Sequence, residues 1–97
     1  MSIGFEWDKN KAAVNYSKHN VSFLEAITVF DDPLSVTITD PDHSHEELRY
    51  TTIGRTKGGR LVVVCHCDRV DVIRIISSRE ATRHEGAAYE SGYSKAT

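Results

Sequence analysis

Arg74-Ile75-Ile76-Ser77-Ser78-Arg79-Glu80-Ala81-Thr82 holds the change of periodicity on which the fold turns. Up to Ile76, the run from Val70 is rich in branched residues and alternates as a strand does, with Val72, Arg74 and Ile76 on one face and Asp71, Ile73 and Ile75 on the other. After it, Ser77 and Glu80 stand at capping-box spacing, with Ser78 as an alternative cap, and the spacing predicts a helix over about residues 79–89. Such a junction puts an arginine on each side of a helix N-terminus, where free N–H groups and the macrodipole favour an anion. The segment therefore reads as a place for a phosphate.

Working outward, the middle of the chain reads as strands. Leu34 to Thr39 and Leu48 to Gly54 alternate; Lys57-Gly58-Gly59 turns into Leu61 to His66, and Asp68-Arg69 reverses into Val70 to Ile76. Short connections between consecutive strands predict a four-stranded antiparallel meander. Ile3 to Trp7 alternates weakly and admits a short N-terminal strand. Asp8 is placed as an N-cap for Lys9 to His19, with Ala12, Ala13 and Tyr16 near helical spacing, and Asn20 suits a left-handed stop. A second helix restarts at once, because Ser22 and Glu25 have capping-box spacing and Phe23, Ile27 and Phe30 form a stripe. Asp31-Asp32-Pro33 ends it. The expected fold class is α+β, with two N-terminal helices, the meander and a C-terminal helix, the helices on one face of the sheet and the other face left for function. Residues 1–90 are expected to form one domain, with 91–97 a frayed tail.

Size and composition bound what such a fold can do. At 97 residues the core is large enough to fold unaided and too small to enclose a large cofactor, so none is expected. An apolar fraction of 39% with 27% charged residues is that of an ordinary soluble globule, and no apolar run approaches a membrane span. Glu6 and Asp8 interrupt the N-terminus and no signal-like apolar region follows, which makes the cytoplasm the expected location. Cys65 and Cys67 flank a single residue in an apolar run and read as reduced thiols. The net charge of −2 divides unevenly: residues 1–48 carry 3 Lys/Arg against 9 Asp/Glu, and residues 49–97 carry 9 against 5. A basic second half suits an anionic partner held locally rather than by a long-range field.

Several side chains are candidates for chemistry. Lys18-His19 ends the first helix, where the dipole favours cations; histidine is also the side chain best suited to proton transfer near neutrality, and spacing alone does not choose. Arg74 sits in an otherwise apolar run, and Arg79, read in the first turn of a helix, would oppose the macrodipole, so both lean towards an anion. Arg83 extends that surface or pairs with Glu80 or Glu90. Arg49, Ile53 and Arg55 share a strand face and add phosphate contacts or face solvent. Asp42-His43-Ser44-His45-Glu46 is a polar loop with no second ligand set, and Cys65-His66-Cys67 in a strand points its thiols away from its imidazole, so no metal site is expected. Phosphate-binding glycine loops, nucleophile elbows and zinc-protease helices are absent from the sequence. Trp7 reads as an aromatic anchor for the core.

Taken together, Phe5-Glu6-Trp7-Asp8, Lys11, Asn15, Lys18-His19, Val21-Ser22-Phe23, Glu25-Ala26, Phe30-Asp31-Asp32-Pro33, Glu47 with Arg49, Ile53-Gly54, Arg74-Ile75-Ile76-Ser77 and Arg79 with Ala81-Thr82 resemble, in order and spacing, the BrnT ribonuclease toxins. The resemblance covers about residues 5–89. It implies a RelE-like α+β fold, metal-independent cleavage of RNA, and a BrnA-like antitoxin that silences the toxin. It further implies an antitoxin dimer carrying two toxins and binding operator DNA, which the toxin reaches only through it. The family usually has glycine where Asn20 stands and a basic residue where Glu80 stands, so Glu80 is expected to weaken the cationic surface. On this reading Arg74 and Arg79 hold the phosphate and His19 moves a proton. Lys18, Arg49, Arg55 and Arg83 contact the substrate. Two rival readings remain: a non-catalytic protein- or RNA-binding module using the same basic face, and a nuclease whose metal is held by Asp42, His43 and His45.

Overall fold

Each helix begins where a short polar side chain takes up its first free N–H groups. The structure, a computed structural model, describes residues 4–40 and 47–96, the last five in backbone alone. Asp8 Oδ1 accepts from the backbone of Asn10 at 2.8 Å and Lys11 at 3.1 Å, starting α1 (Lys9–His19). Those N–H groups hold the Asp8 carboxyl below the usual carboxylate range. Asn20 ends the helix in the left-handed region at φ 57°, donating its N–H to the Tyr16 carbonyl at 2.8 Å. Ser22 Oγ caps α2 (Phe23–Ala26), a single turn that tightens into a 3-10 segment over Ile27–Asp31. The second helix is therefore shorter than its apolar stripe predicts.

Five strands make one mixed sheet in the order β1-β5-β4-β3-β2: β1 (Gly4–Glu6), β2 (Val36–Thr39), β3 (Arg49–Arg55), β4 (Leu61–Asp68) and β5 (Val72–Glu80). The antiparallel meander from β2 to β5 is as expected. The N-terminal strand adds to it by pairing parallel with β5, Gly4 opposite Val72 and Glu6 opposite Arg74. The sheet is thus mixed rather than four-stranded and antiparallel.

One sheet face packs under α1, α2 and the 3-10 segment. Val62, Val64, Ile73 and Ile75 join Val21, Phe23, Ala26 and Val29 in the core, with Phe5, Trp7 and Phe30 closing its margin. Trp7 meets Phe23 edge-on at 5.9 Å, the anchoring role expected of it. Gly54 lies where β3 passes the 3-10 segment; a Cβ there would stand 3.1 Å from the Cβ of Val29 and of Ser35, so a side chain would push the two layers apart by a few tenths of an ångström.

The junction at Arg79 differs from its sequence reading. β5 does not give way to a helix after Ile76: Ser78, Arg79 and Glu80 stay in register with Val64, Val63 and Val62 of β4. Ladder bonds to a partner strand outweigh a serine cap that satisfies one N–H. The helix α3 (Arg83–Ala96) starts four residues later than expected and runs past Tyr89. Its capping box is Thr82 and Glu85, in which Thr82 Oγ1 accepts from Glu85 N at 3.1 Å and Glu85 Oε1 from Thr82 N at 2.9 Å. α3 also packs on the sheet face opposite α1. Gly86 lies against Leu61, whose register position faces away from Val62, and Tyr89 is buried with its hydroxyl donating to Asp32 Oδ2 at 2.7 Å. The far face is thus partly roofed rather than left open.

Candidate active site

β1 spans only the first third of β5, so the outer edge of β5 beyond Arg74 needs another partner. Asn15, buried in the middle of α1, supplies it. Its Nδ2 donates to Ser78 O at 2.9 Å, and its Oδ1 accepts from Ser78 N at 3.1 Å, so one side-chain amide stands in for a neighbouring strand. Nδ2 also donates to Val21 O at 3.0 Å, joining the end of α1 to the start of α2. Of the residues that the sequence places near helical spacing, Ala12 packs against the core while Ala13 and Tyr16 are exposed, and Asn15 makes the buried polar contact that docks the helix. A polar residue among small ones at a core-facing position was the available signal.

Next to this contact the β5 ladder skips a residue. Cys65 pairs with Ser77 and His66 with Ile75, which leaves Ile76 as a bulge. Two i, i+4 rows of α1, Asn10-Val14-Lys18 and Lys11-Asn15-His19, face the bulged segment across a half-open groove of about 340 Å³ whose floor is Ile76 and Ser77. Lys11 and Lys18 give it a cationic rim with His19 beside them, and none of its eight lining residues is Asp or Glu. By contrast, the groove near Thr28 and Lys57 contains Asp31 and Asp32.

The structure thus divides the residues singled out from sequence. Lys18 and His19 are exposed in the groove, and Lys11, which joins them, had been noted only as part of the family pattern. Arg74, Arg79, Arg49 and Arg55 lie on the far sheet face, because their register partners are Cys67, Val63, Cys67 and Leu61. Arg49 and Arg74 flank Cys67 in one row, about 10 Å apart by strand spacing. Arg74 donates to Glu6 Oε2 at 3.2 Å, and Arg55 lies 5.8 Å over the Tyr89 ring. Arg83 is exposed at the start of α3. No helix N-terminus lies between Arg74 and Arg79, so the expected helix-dipole phosphate site is not formed, for the strand-pairing reason given above.

Arg79 instead engages both carboxylate oxygens of Glu85, at 2.7 and 2.8 Å. Glu80, the departure from the family pattern, pairs with Arg60 at 2.9 Å and leaves Arg79 to Glu85. Arg60 also bonds Glu25 and donates to the Asn20 carbonyl at 2.9 Å, tying the end of α1 to the β3–β4 turn. The Arg79 guanidinium and the Thr82 N–H hold the Glu85 carboxyl at about 2, against an ordinary 4.5. A folded-state value below the unfolded one gives stability that is complete above 4.5 and lost as pH falls toward 2. Thermal midpoints measured through that window are expected to fall less steeply for Glu85→Gln than for the wild type, and parallel curves would contradict the pairing.

The Cys65-His66-Cys67 run belongs to β4. His66 is buried on the helix side between Phe30 and Tyr50, with Nδ1 2.6 Å from Asp68 and Nε2 2.7 Å from Thr52, while Cys65 and Cys67 occupy the other face, as strand alternation predicts. Both cysteines are free, and burial pushes their thiols up. Asp42, His43 and His45 lie outside the described residues; among the described residues no three His, Cys, Asp or Glu side chains converge. No helix among the described residues is long and apolar enough to cross a membrane.

A groove with lysines and without carboxylates in its lining, set between a helix and the strand edge that Asn15 pairs in a small α+β fold, suits a class of protein that handles an anionic chain. Comparison makes the class specific. The family described as "Ribonuclease toxin, BrnT, of type II toxin-antitoxin system" matches residues 7–85, and the chain belongs to that family. Its fold is similar to that of the Brucella abortus ribonuclease toxin BrnT in a crystal structure, with a TM-score of 0.62 at 20% identity over 84% of this chain and 100% of that one. No curated protein sequence matches the chain. It is therefore a ribonuclease toxin whose partner is the antitoxin of a type II system.

Proposed function

We propose that the chain is an endoribonuclease that cuts RNA without a metal ion, by attack of a 2′-hydroxyl on the adjacent phosphorus. The 2′-oxygen to phosphorus bond forms as the bond to the 5′-oxygen breaks. One proton leaves the 2′-hydroxyl and another reaches the departing 5′-oxygen, giving a 2′,3′-cyclic phosphate and a 5′-hydroxyl. The observation that carries this reading is the groove, where His19 stands beside Lys11 and Lys18 against Ser77. His19 is assigned to proton transfer. Lys11 and Lys18 draw in the phosphate backbone and offset the charge that builds on the phosphoryl oxygens.

The arginines enter from the far face. Ser77 lines the groove while its register partner Cys65 places it on the same face as Arg74 and Arg79. Along the strand these stand about 10 and 7 Å from Ser77. An RNA backbone crossing the edge of β5 therefore comes within reach of both, and Arg79 then shares its guanidinium between Glu85 and phosphate. Arg49, Arg55 and Arg83 extend the substrate contacts on that side. A BrnA-like antitoxin, as a dimer carrying two toxins, silences the chain by covering this basic surface, and operator DNA is met only through the antitoxin.

The test is cleavage of single-stranded RNA by purified protein in excess EDTA, with end-group analysis of the products. Cyclic phosphate ends are expected, formed without added metal. RNA left intact at low salt, or cleavage that EDTA abolishes, would overturn the proposal.

A further inference from the structure

We infer that the α1–β5 groove is also a nucleobase subsite, in which one unpaired base of the RNA is held between Val14 and Ile76. This rests on the groove being where RNA is cut, and it adds what part of the RNA the groove selects. Val14 is 60% exposed in the middle of a helix, between Asn10 and Lys18 in their row, and takes no part in the core. Ile76 is the bulged residue of β5, half-exposed and outside the ladder. A bulge re-aims a side chain, and here Ile76 forms the groove floor opposite Val14.

Val14 from the helix and Ile76 from the strand thus both line a space of about 340 Å³, at the low end of the range for sites that take small ligands. The surroundings decide the occupant. Lys11, Lys18 and His19 rim an apolar slot that has no carboxylate, which complements a flat, largely apolar ring carried on an anionic backbone. Asn10 and Ser77 stand at the margins, where the polar edge of a base would lie, whereas the Asn15 amide is fully engaged with Val21 and Ser78. A base reaches such a slot only when it is unstacked, so the groove selects single-stranded segments.

The experiment uses the full chain and a fluorescent single-stranded 2′-fluoro RNA, which has no attacking hydroxyl and reports binding alone. Each base is replaced in turn by an abasic unit. One position is expected to lose about 10-fold in affinity, within the range of base-stacking contributions. Val14→Ser is expected to weaken the parent oligonucleotide by a similar factor, and the abasic unit at that position should then cost nothing further. Ile76→Ser repeats the measurement from the opposite wall; Val14, being exposed, tests the idea even if Ile76→Ser fails to fold. Losses spread evenly over all positions would overturn the inference, as would a loss that persists in Val14→Ser or an effect of Val14→Ser on antitoxin binding alone. Because the probe cannot be cut, base selection without cleavage of ordinary RNA would sink only the catalytic reading, and cleavage without base selection only the subsite.

Discussion

Replacing His19 with alanine is expected to lower RNA cleavage by about 10²- to 10⁴-fold, the range for loss of a positioned general acid or base. His19 is exposed as the last residue of α1, so its structural share is confined to the favourable end-of-helix charge, roughly 0.3–1 kcal/mol. In a domain of this size that shifts the thermal midpoint by no more than about 8 °C, far too little to mimic such a loss of rate at 25 °C. Proton transfer and plain electrostatics separate in His19→Lys. A lysine puts a positive charge at the groove rim but offers no imidazole to carry a proton, so it should remain as slow as alanine if His19 moves a proton. Recovery to within about 10-fold of wild type would make His19 a cation and no more. Lys18→Ala is the companion measurement. It should raise KM and flatten the salt dependence of binding, by about one unit of slope at most, with kcat much less affected.

The parts of the fold that sequence made legible are those set by neighbours along the chain. Asp8 caps α1, Asn20 stops it and Ser22 restarts α2, because each acts on N–H groups or dihedral angles within four residues of itself. The meander was legible for the same reason, since each turn joins strands that pair with each other. Where a distant partner decides, local patterns mislead. Ser77-Ser78-Arg79-Glu80 and Thr82-Arg83-His84-Glu85 both satisfy the capping-box spacing, and only the presence of Val62 to Val64 alongside β5 selects the second. The parallel pairing of β1, the place of α3 on the far face and the bulge at Ile76 are all matters of register between segments far apart in sequence. The site followed the same division. Lys18 and His19 are neighbours at the end of a helix and reach the groove together, whereas the helix start expected between Arg74 and Arg79 gives way to strand pairing with β4.

Asn15→Leu should be the most destabilising single change to the groove, at roughly 3 kcal/mol or more. Leucine has the same branched side-chain skeleton and is the better helix former, so an account based on helix propensity and apolar burial predicts a gain. Hydrogen bonding reverses the sign. The substitution strands the Ser78 N–H and withdraws donors from the Ser78 and Val21 carbonyls, at about 1–3 kcal/mol for each buried group left unsatisfied. Against a total stability of about 5–15 kcal/mol, that is a large fraction. Denaturant unfolding should show a lower midpoint, and the residual folded fraction should cleave poorly, because the helix row bearing His19 is no longer fixed to the edge of β5. Asn15→Asp distinguishes shape from hydrogen bonding: the side chain keeps its size and its acceptor for Ser78 N, but turns an acceptor toward two carbonyls. If Asn15 acts through its paired donor and acceptor, aspartate should be at least as damaging as leucine above the pKa of its carboxyl and should recover partly as acid restores an O–H donor. A leucine variant as stable as wild type would show that the edge of β5 finds its partners elsewhere, and the groove would lose its structural basis.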